Sequence, residues 1–375
     1  MEKSALFTLT YRVQAESKYD AEQIAHNIRT EQTVEMPLSA VPDSAQHSIA
    51  ELISIGSTDK KSEWEVTLSF PLSVIDGDVT QLINVLFGNI SLLPGIKIVD
   101  GEDHLFSNTN QGPAFGIAGI RSLLDRKTEA ISCTALKPIG LTESELAERA
   151  YSFSKAGIDI VKDDHGLTNQ SSATFKSRVS ACVDAIRRGE QHSGKKTLYF
   201  PNITSNPVHV EQKFQEAVDM GADGVLLCPQ LTGLETLSSL AKHQVVPIMA
   251  HPAFSGSYVI HEHHGFTPEF YYGKLWRALG ADCIIYPNAG GRFGYSTDTC
   301  LALNRQMHAG FCDFKTSLPS PAGGINLNSI PELLKRYGPD IVYLVGGSLY
   351  NHKEGIELAT IEFLRLLEGN NGESV

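Results

Sequence analysis

Short apolar runs recur from residue 131 to the end of the chain, with helix-like segments between them. The runs are ISCTAL (131–136), IDIVKD (158–163), LYFPN (198–202), GVLLC (224–228), VPIMAH (246–251), CIIYP (283–287), TSLPSPAGG (316–324) and IVYLVGG (341–347). Strands that are apolar on both faces are typical of parallel sheets covered by helices. Eight such units predict a closed (β/α)8 barrel, with an open doubly wound sheet as the alternative. No GxGxxG follows the first run, which disfavours dinucleotide binding.

The first 115 residues have a different pattern. Strand-like segments at 5–13 and 64–70 alternate with helix-like segments at 20–29 and 78–90. This order predicts a smaller α+β domain of the ferredoxin-like type. The Gly- and Pro-containing segment from residue 108 indicates a linker. We therefore predict an α/β protein with an α+β domain at 1–115 and a barrel domain at 116–375.

Composition excludes several classes of partner. The 375 residues carry a net charge of −12, which disfavours nucleic acid and anionic membranes as partners. The six cysteines include no CxxC pair, and this favours a reducing compartment over a disulfide framework. The N-terminus has no signal-peptide pattern, and no apolar stretch approaches the ~20 residues that span a bilayer. These features predict a cytoplasmic protein.

The second run ends in charged residues, in the segment GIDIVKDDHG at 157–166. In a barrel the chemistry lies at the carboxyl ends of the strands. Side chains alternate along a strand, so Lys162 and Asp164 share one direction and Asp163 takes the other. The pattern fits either an ion-paired strand end or a site for a hard cation such as Mg²⁺.

This segment resembles the KDDE motif of the ribulose-bisphosphate carboxylase large subunit, and more closely that of the carboxylase-like proteins. QGPAFGIAGIR (111–121), TALKPIGL (134–141), PNITSN (201–206), PIMAHPAFSG (247–256) and NAGGRFGYS (288–296) extend the similarity. The resemblance implies that CO₂ carbamylates Lys162 and that the carbamate binds Mg²⁺ together with Asp164. The third ligand falls on His165, where the family usually has Glu. Because imidazole suits Zn²⁺, Mn²⁺ or Fe²⁺ better, a weaker Mg²⁺ site, another divalent metal and no metal all stay open.

The same resemblance assigns catalytic residues. Lys137 falls on the first lysine of the family's KPKLGL strand end and is the expected acid/base. His251 matches an active-site histidine that would orient or protonate the intermediate. Arg292 is the basic residue of the sixth loop, and Asn202 ends the third strand as a substrate-binding residue.

Two pairs of glycines end the last two runs. Gly323 and Gly324 lie in SPAGGI, and Gly346 and Gly347 lie in LVGGSLY. Successive glycines let backbone N–H groups converge on an anion, and barrels often hold phosphate after strands seven and eight. In the family these loops bind a substrate phosphate.

Glu31 (in EQTVE) and Asn89 (in FGN) match residues that reach the neighbouring subunit's barrel, which implies a homodimer with shared active sites.

The family's chemistry forms an enediolate that a metal ion stabilises. CO₂ fixation is disfavoured, because the chain lacks the second lysine after Lys137, the sixth-loop lysine and the metal-binding Glu. Our first hypothesis is a decarboxylase, or a transcarboxylase/hydrolase, acting on 3-oxo-isoapionate 4-phosphate. The alternative is the 2,3-diketo-5-methylthiopentyl-1-phosphate enolase of methionine salvage. A non-catalytic sugar-phosphate-binding protein is the third hypothesis.

Overall fold

The structure, a computed structural model, describes residues 5–107 and 110–369. These residues form two compact units. The first contains residues 5–107 and Asn110 together with 255–278 and 311–313, and the second contains 111–254, 279–310 and 314–369. Two segments from the second half of the chain thus belong to the first unit. The predicted boundary between residues 115 and 116 stays a prediction.

The regular elements are numbered in chain order. The strands are β1 (Leu6–Gln14), β2 (Glu51–Ser57), β3 (Glu63–Pro71), β4 (Ile96–Gly101), β5 (Ile131–Leu136), β6 (Ile160–Asp163), β7 (Leu198–Phe200), β8 (Val225–Leu227), β9 (Ile248–Ala250), β10 (Gly265–Phe266), β11 (Cys283–Pro287), β12 (Leu318–Ala322) and β13 (Val342–Leu344). The α-helices are α1 (Lys18–Glu31), α2 (Val79–Phe87), α3 (His104–Ser107), α4 (Gly116–Leu123), α5 (Glu143–Lys155), α6 (Phe175–Ser193), α7 (Pro207–Asp219), α8 (Pro229–Thr232), α9 (Leu234–Ala241), α10 (Gly256–Val259), α11 (Thr297–His308), α12 (Ile330–Tyr337), α13 (Gly347–Tyr350) and α14 (Ile356–Leu367). Short 3₁₀ helices cover Leu38–Ala40, Asp43–Ser48, Leu72–Val74, Asn89–Leu92 and Leu327–Ser329, and a π-helix covers Glu269–Trp276.

The first unit is built on one five-stranded sheet in the order β10-β4-β1-β3-β2. β1 is antiparallel to β3 and β4, and its alternate residues from Phe7 to Val13 are buried, as period-2 patterning requires. Helix α1 begins after Ser17, whose hydroxyl caps the N–H of Asp20, and it buries one face. This is the predicted α+β architecture.

The second unit is an eight-stranded parallel barrel, as predicted, and not an open sheet. Its strands pair as β13-β5-β6-β7 and as β12-β11-β9-β8. The bridge between Asn202 and Leu226 joins β7 to β8, and the Ser320 hydroxyl donates to the Val342 carbonyl between β12 and β13. Each of the eight predicted runs contains one of these strands. Because all strands are parallel, their carboxyl ends lie at the same end of the barrel.

The barrel is filled by buried apolar side chains from all eight of its strands, including Cys133, Ile160, Phe200 and Met249. The packing is close enough that a Cβ on Gly224 would lie 2.3 Å from the Phe200 ring. Within the described residues, no helix has the length and apolar character needed to cross a bilayer.

Candidate active site

Lys137 and Asp164 form an ion pair at the carboxyl ends of β5 and β6. The Lys137 side chain is 33% exposed and that of Asp164 is 21% exposed, so the pair faces the open end of the barrel. Burial alone would raise the pKa of Asp164. The hydrogen bond from His165 and the charges of Lys162 and Lys137 outweigh burial and hold that pKa well below its usual range. Asp164 is therefore a carboxylate available for a cation.

Asp163 points the other way, as side-chain alternation predicts. Its carboxylate accepts from Arg178 Nε at 3.0 Å, from the Tyr199 hydroxyl at 2.9 Å and from the Asn202 backbone N–H at 2.9 Å. The Asp163 and Arg178 side chains are fully buried. Both oxygens of this carboxylate accept hydrogen bonds, and the carboxylate thereby holds β6, β7 and α6 together.

Lys162 lies on the barrel side of β6 and is 2% exposed. Its ammonium donates to the Asp163 carbonyl at 3.1 Å. Burial lowers the pKa of Lys162, and the positive charge of Lys137 lowers it further, against the opposing effect of Asp164. A lowered pKa favours the neutral amine, which is the form that reacts with CO₂.

His165 and His251 meet across the open end of the barrel. Their rings stack with centroids 4.8 Å apart and planes 13° apart. His165 Nδ1 lies 3.4 Å from Asp164 Oδ1, and its side chain is 52% exposed. No pattern in the sequence predicts this contact, because the two histidines follow strands that are not neighbours in the barrel.

His251 is a neutral histidine in this environment. Its Nδ1 accepts the backbone N–H of Ala253 at 3.1 Å, so in the neutral ring the proton resides on Nε2. Burial, followed by the positive charges of Lys162 and His165, lowers the pKa of His251 well below its usual value. The ring can therefore present an N–H donor to an oxygen of a bound molecule.

Asn202 holds the backbone beside these groups. Its Nδ2 donates to the His165 carbonyl at 2.9 Å and to the Asp164 carbonyl at 3.4 Å, and its Oδ1 accepts from Thr204. Its amide thus orients the Asp164–His165 segment. Its predicted contact with substrate stays a prediction.

The glycine loops lie beyond β11, β12 and β13. Gly323 and Gly324 have φ values of +91° and +83°, which glycine adopts at little cost. A Cβ on Gly291 would lie 2.0 Å from the Gly323 carbonyl oxygen, so the β11 loop packs on the β12 loop. A Cβ on Gly346, the neighbour of Gly347, would lie 3.5 Å from Lys137 Cε, which places the β13 loop beside the predicted acid/base.

The remaining predicted site residues are Arg292, Glu31 and Asn89. Arg292 is exposed on the loop after β11, and its guanidinium lies 5.3 Å from the centroid of the Phe293 ring. Glu31 and Asn89 belong to the first unit, where Asn89 Nδ2 donates to Glu31 Oε2 at 3.3 Å. Their roles in catalysis and in a shared site stay predictions.

Two residues that the sequence did not single out contact Lys137. Tyr350, on α13, contacts its backbone N–H, and Arg149, on α5, contacts its carbonyl. Neither residue lies at a strand end, where barrel active-site residues are sought.

A divalent metal fits this site only together with a modified lysine. Asp164 and His165 offer an oxygen and a nitrogen donor, whereas residues 5–107 and 110–369 contain no group of three His, Cys, Asp or Glu side chains arranged for a metal. The buried Lys162 adjoins Asp164 and favours its neutral form. Its carbamate would supply the missing anionic oxygen, so the residues fit a metal held by all three.

The fold and the site together define a class: an α+β unit and a (β/α)8 barrel in one chain, with a lysine and an acid converging at the ends of the first two barrel strands. Residues 116–363 match the family model described as ribulose bisphosphate carboxylase large chain, catalytic domain. The chain belongs to this family, and its relatives include the carboxylase-like, non-carboxylating proteins.

Three relatives illustrate the similarity. The chain is 36% identical to a 5-methylthioribulose-1-phosphate isomerase from Rhodospirillum rubrum, over 96% of each chain. It is 29% identical to a 2,3-diketo-5-methylthiopentyl-1-phosphate enolase from Bacillus licheniformis, over 89% of this chain and 84% of the enolase. The crystal structure of a Rubisco-like protein from Rhodopseudomonas palustris superposes with a TM-score of 0.88 at 30% identity, covering 98% of this chain and 99% of that one.

Proposed function

We propose that the protein transfers a proton next to the carbonyl group of a phosphorylated methylthio sugar. The first candidate reaction is the isomerisation of 5-methylthioribulose 1-phosphate. The observation that carries the proposal is the arrangement of Lys137, Asp164 and the neutral His251 at the open end of the barrel. The isomerase relative supports this choice, because it aligns over nearly the whole chain.

The chemistry assigns a role to each of these groups. Lys137 in its neutral form removes a proton from the carbon next to the carbonyl, and the electron pair of the C–H bond forms an enediolate. The proton then returns to the former carbonyl carbon, and the proton of the neighbouring hydroxyl moves to the former carbonyl oxygen. The carbonyl group has thereby moved by one carbon, and the product is an isomer with the same atoms. Asp164 orients the amine through their hydrogen bond, and His251 Nε2–H donates to the developing oxyanion.

We further propose Mg²⁺, or another divalent metal, as the cofactor, held by Asp164, His165 and a carbamate on Lys162. Such an ion would stabilise the enediolate charge as a Lewis acid. The imidazole of His165 favours Mn²⁺, Zn²⁺ or Fe²⁺ over Mg²⁺. A homodimer with composite sites, to which Glu31 and Asn89 would contribute, is also part of the proposal.

Exposed apolar side chains on loops at the carboxyl end of the barrel support a methylthio substrate. Ile139 is 55% exposed after β5, Phe254 is 71% exposed after β9 and Phe293 is 55% exposed after β11. Such side chains suit a thioether better than a carboxylate. None of the relatives reported above is named a decarboxylase, so the 3-oxo-isoapionate hypothesis gains no support.

The enolase reaction is the second candidate, and the Bacillus licheniformis relative favours it. It needs the same proton abstraction from a diketone substrate, after which the enolate oxygen rather than a neighbouring carbon takes up the proton. Lys137 and His251 would act as above. The two candidates therefore differ in substrate and in the fate of the enediolate rather than in the residues used.

The test offers the protein each substrate in D₂O. We expect 5-methylthioribulose 1-phosphate to exchange a C–H proton and to yield a new phosphorylated isomer in ¹H and ³¹P NMR, without CO₂ release. Lys137→Met should lower turnover by about 10²- to 10⁴-fold while inorganic phosphate still binds, because general acid–base catalysis contributes that much. Full turnover in this variant would refute the role of Lys137.

Two other outcomes would redirect the assignment. An increase in ultraviolet absorbance over time with 2,3-diketo-5-methylthiopentyl 1-phosphate, and with no other substrate, would favour the enolase reaction. Release of CO₂ from 3-oxo-isoapionate 4-phosphate would restore the decarboxylase hypothesis.

The cofactor is tested without turnover. After incubation with ¹³C-bicarbonate and metal, we expect a carbamate signal in ¹³C NMR that Lys162→Met abolishes. His165→Glu, which restores the family's usual residue, should shift calorimetric metal preference from Mn²⁺ towards Mg²⁺. Identical preference in the two proteins would exclude His165 as a ligand.

A further inference from the structure

The backbone of Lys137 lies beyond the hydrogen-bonded ladder of the barrel. β5 ends at Leu136, so the N–H and C=O groups of Lys137 need partners outside the strand pairing. The following residue, Pro138, has no N–H to contribute to a turn. The position of the Lys137 side chain therefore depends on whatever holds these two backbone groups.

The N–H group is held by Tyr350. Lys137 N donates to the Tyr350 hydroxyl at 3.2 Å, and that hydroxyl donates to the Ala135 carbonyl at 2.8 Å. The Tyr350 hydroxyl oxygen thus connects α13 to the carboxyl end of β5. The Tyr350 ring is fixed by an edge contact with Phe153, with centroids 5.6 Å apart and planes at 81°. Burial raises the pKa of Tyr350, which keeps the hydroxyl protonated.

The C=O group is held by Arg149. Arg149 Nη1 donates to the Lys137 carbonyl at 2.8 Å, and the guanidinium carbon lies 5.1 Å from the centroid of the Tyr350 ring. The two side chains come from different helices and contact each other as well as Lys137. We call Tyr350 and Arg149 together the Lys137 bracket, because they hold the backbone of Lys137 from both sides.

The bracket also adjoins the last glycine loop. Tyr350 ends α13, the short helix that begins at Gly347. Gly346 lies beside the Lys137 side chain, since a Cβ there would be 3.5 Å from Lys137 Cε. A shift of this loop would therefore reach Lys137 both through Tyr350 and directly.

We propose that Tyr350 and Arg149 are positioning residues that fix the amine of Lys137 against Asp164. The proposal rests on the acid/base role proposed for Lys137. Neither residue exchanges a proton with substrate; each acts through the Lys137 backbone. Misplacing a reacting group by about 1 Å can cost on the order of 100-fold in rate, so loss of the bracket should lower kcat more than it changes KM.

The test compares Tyr350→Phe with Tyr343→Phe. The control removes a similar hydroxyl that does not contact Lys137. The Tyr343 hydroxyl donates to the Gly338 carbonyl at a distance of 2.7 Å. Acetic anhydride labelling of Lys137, read by mass spectrometry, should be several-fold faster in Tyr350→Phe because the amine leaves Asp164. It should match wild type in Tyr343→Phe. In turnover, Tyr350→Phe should lower kcat about 10-fold and raise the primary deuterium isotope effect at the abstracted carbon.

Arg149 provides the second variant. Arg149→Met should accelerate labelling as Tyr350→Phe does, and Arg149→Lys should restore most of the wild-type labelling and kcat because it keeps a donor. Wild-type labelling in both Tyr350→Phe and Arg149→Met, or equal effects in Tyr343→Phe, would overturn the proposal. If labelling responds as expected but no methylthio sugar phosphate is turned over, the bracket stands and the proposed function fails.

Discussion

The carboxyl end of β6 has a closed side and an open side, and two consecutive aspartates separate them. On the closed side, the carboxylate of Asp163 is fully buried and accepts from Arg178 and Tyr199. On the open side, Asp164 pairs with Lys137 where both side chains are partly exposed. Identical side chains one residue apart thus have different tasks. The closed side fixes the strand end, and the open side leaves a carboxylate for a ligand.

Because of their different burial, the two aspartates also contribute differently to the free energy of unfolding. Removing one partner of a buried ion pair leaves an uncompensated charge in the interior, which typically costs about 3–5 kcal/mol. A partly exposed pair is solvated when broken, and its contribution is usually below about 1 kcal/mol. The comparison therefore predicts that loss of the Asp163 carboxylate mainly lowers stability, whereas loss of the Asp164 carboxylate mainly lowers activity.

The largest effect is expected for Asp163→Asn. It should lower the free energy of unfolding by about 3 kcal/mol, because the Arg178 guanidinium loses its buried counter-charge. Asp164→Asn should lower it by less than about 1 kcal/mol but reduce turnover at least as much as Lys137→Met. Urea denaturation and steady-state kinetics on both variants measure this. Equal loss of stability in the two variants would remove the distinction between the sides.

The sequence predicts the barrel well because its signal is local. Each barrel strand lies in a short apolar run such as residues 131–136 or 341–347, and its position follows from the eightfold recurrence. The opposite directions of Asp163 and Asp164 follow from strand geometry alone. The family resemblance then assigns roles to the residues at the strand ends, and the structure does bring Lys137 and Asp164 together.

Other features depend on packing between distant segments. Tyr350 lies 213 residues from the Lys137 N–H that it accepts, so no local pattern marks it. The stacking of His165 on His251 requires the ends of two non-adjacent strands to meet. Residues 255–278 follow β9 of the barrel and yet belong to the first unit. Hydrophobic periodicity reports which face of an element is buried but does not identify the residue that covers it.

A smaller effect is expected on the closed side for Tyr199→Phe. The change removes a hydroxyl that donates to Asp163 at 2.9 Å and leaves the ring in place. A hydrogen bond to a charged group contributes about 1.5–3 kcal/mol, so the free energy of unfolding should fall by an amount near the lower end of that range, with turnover nearly unchanged. Tyr286→Phe, which loses a hydroxyl bound to Asn304 elsewhere in the barrel, is the control. A large loss of turnover in Tyr199→Phe alone would show that the closed side also tunes the chemistry.

The smallest effect concerns pH on the open side. The pKa of His251 in the folded protein lies well below the unfolded value of about 6.5, so at pH values between the two the unfolded chain binds a proton that the native site does not. Stability should therefore fall as pH drops below about 6.5, by up to about 1.4 kcal/mol per pH unit from this residue. His251→Asn, which keeps an acceptor for the Ala253 N–H, should lose less stability than wild type between pH 6.5 and 5.5. Substitution of the exposed His26 should leave that difference intact. If wild type and His251→Asn respond to acid alike, the pKa of His251 is the same in the native and the unfolded protein, and the burial argument for a neutral His251 is wrong.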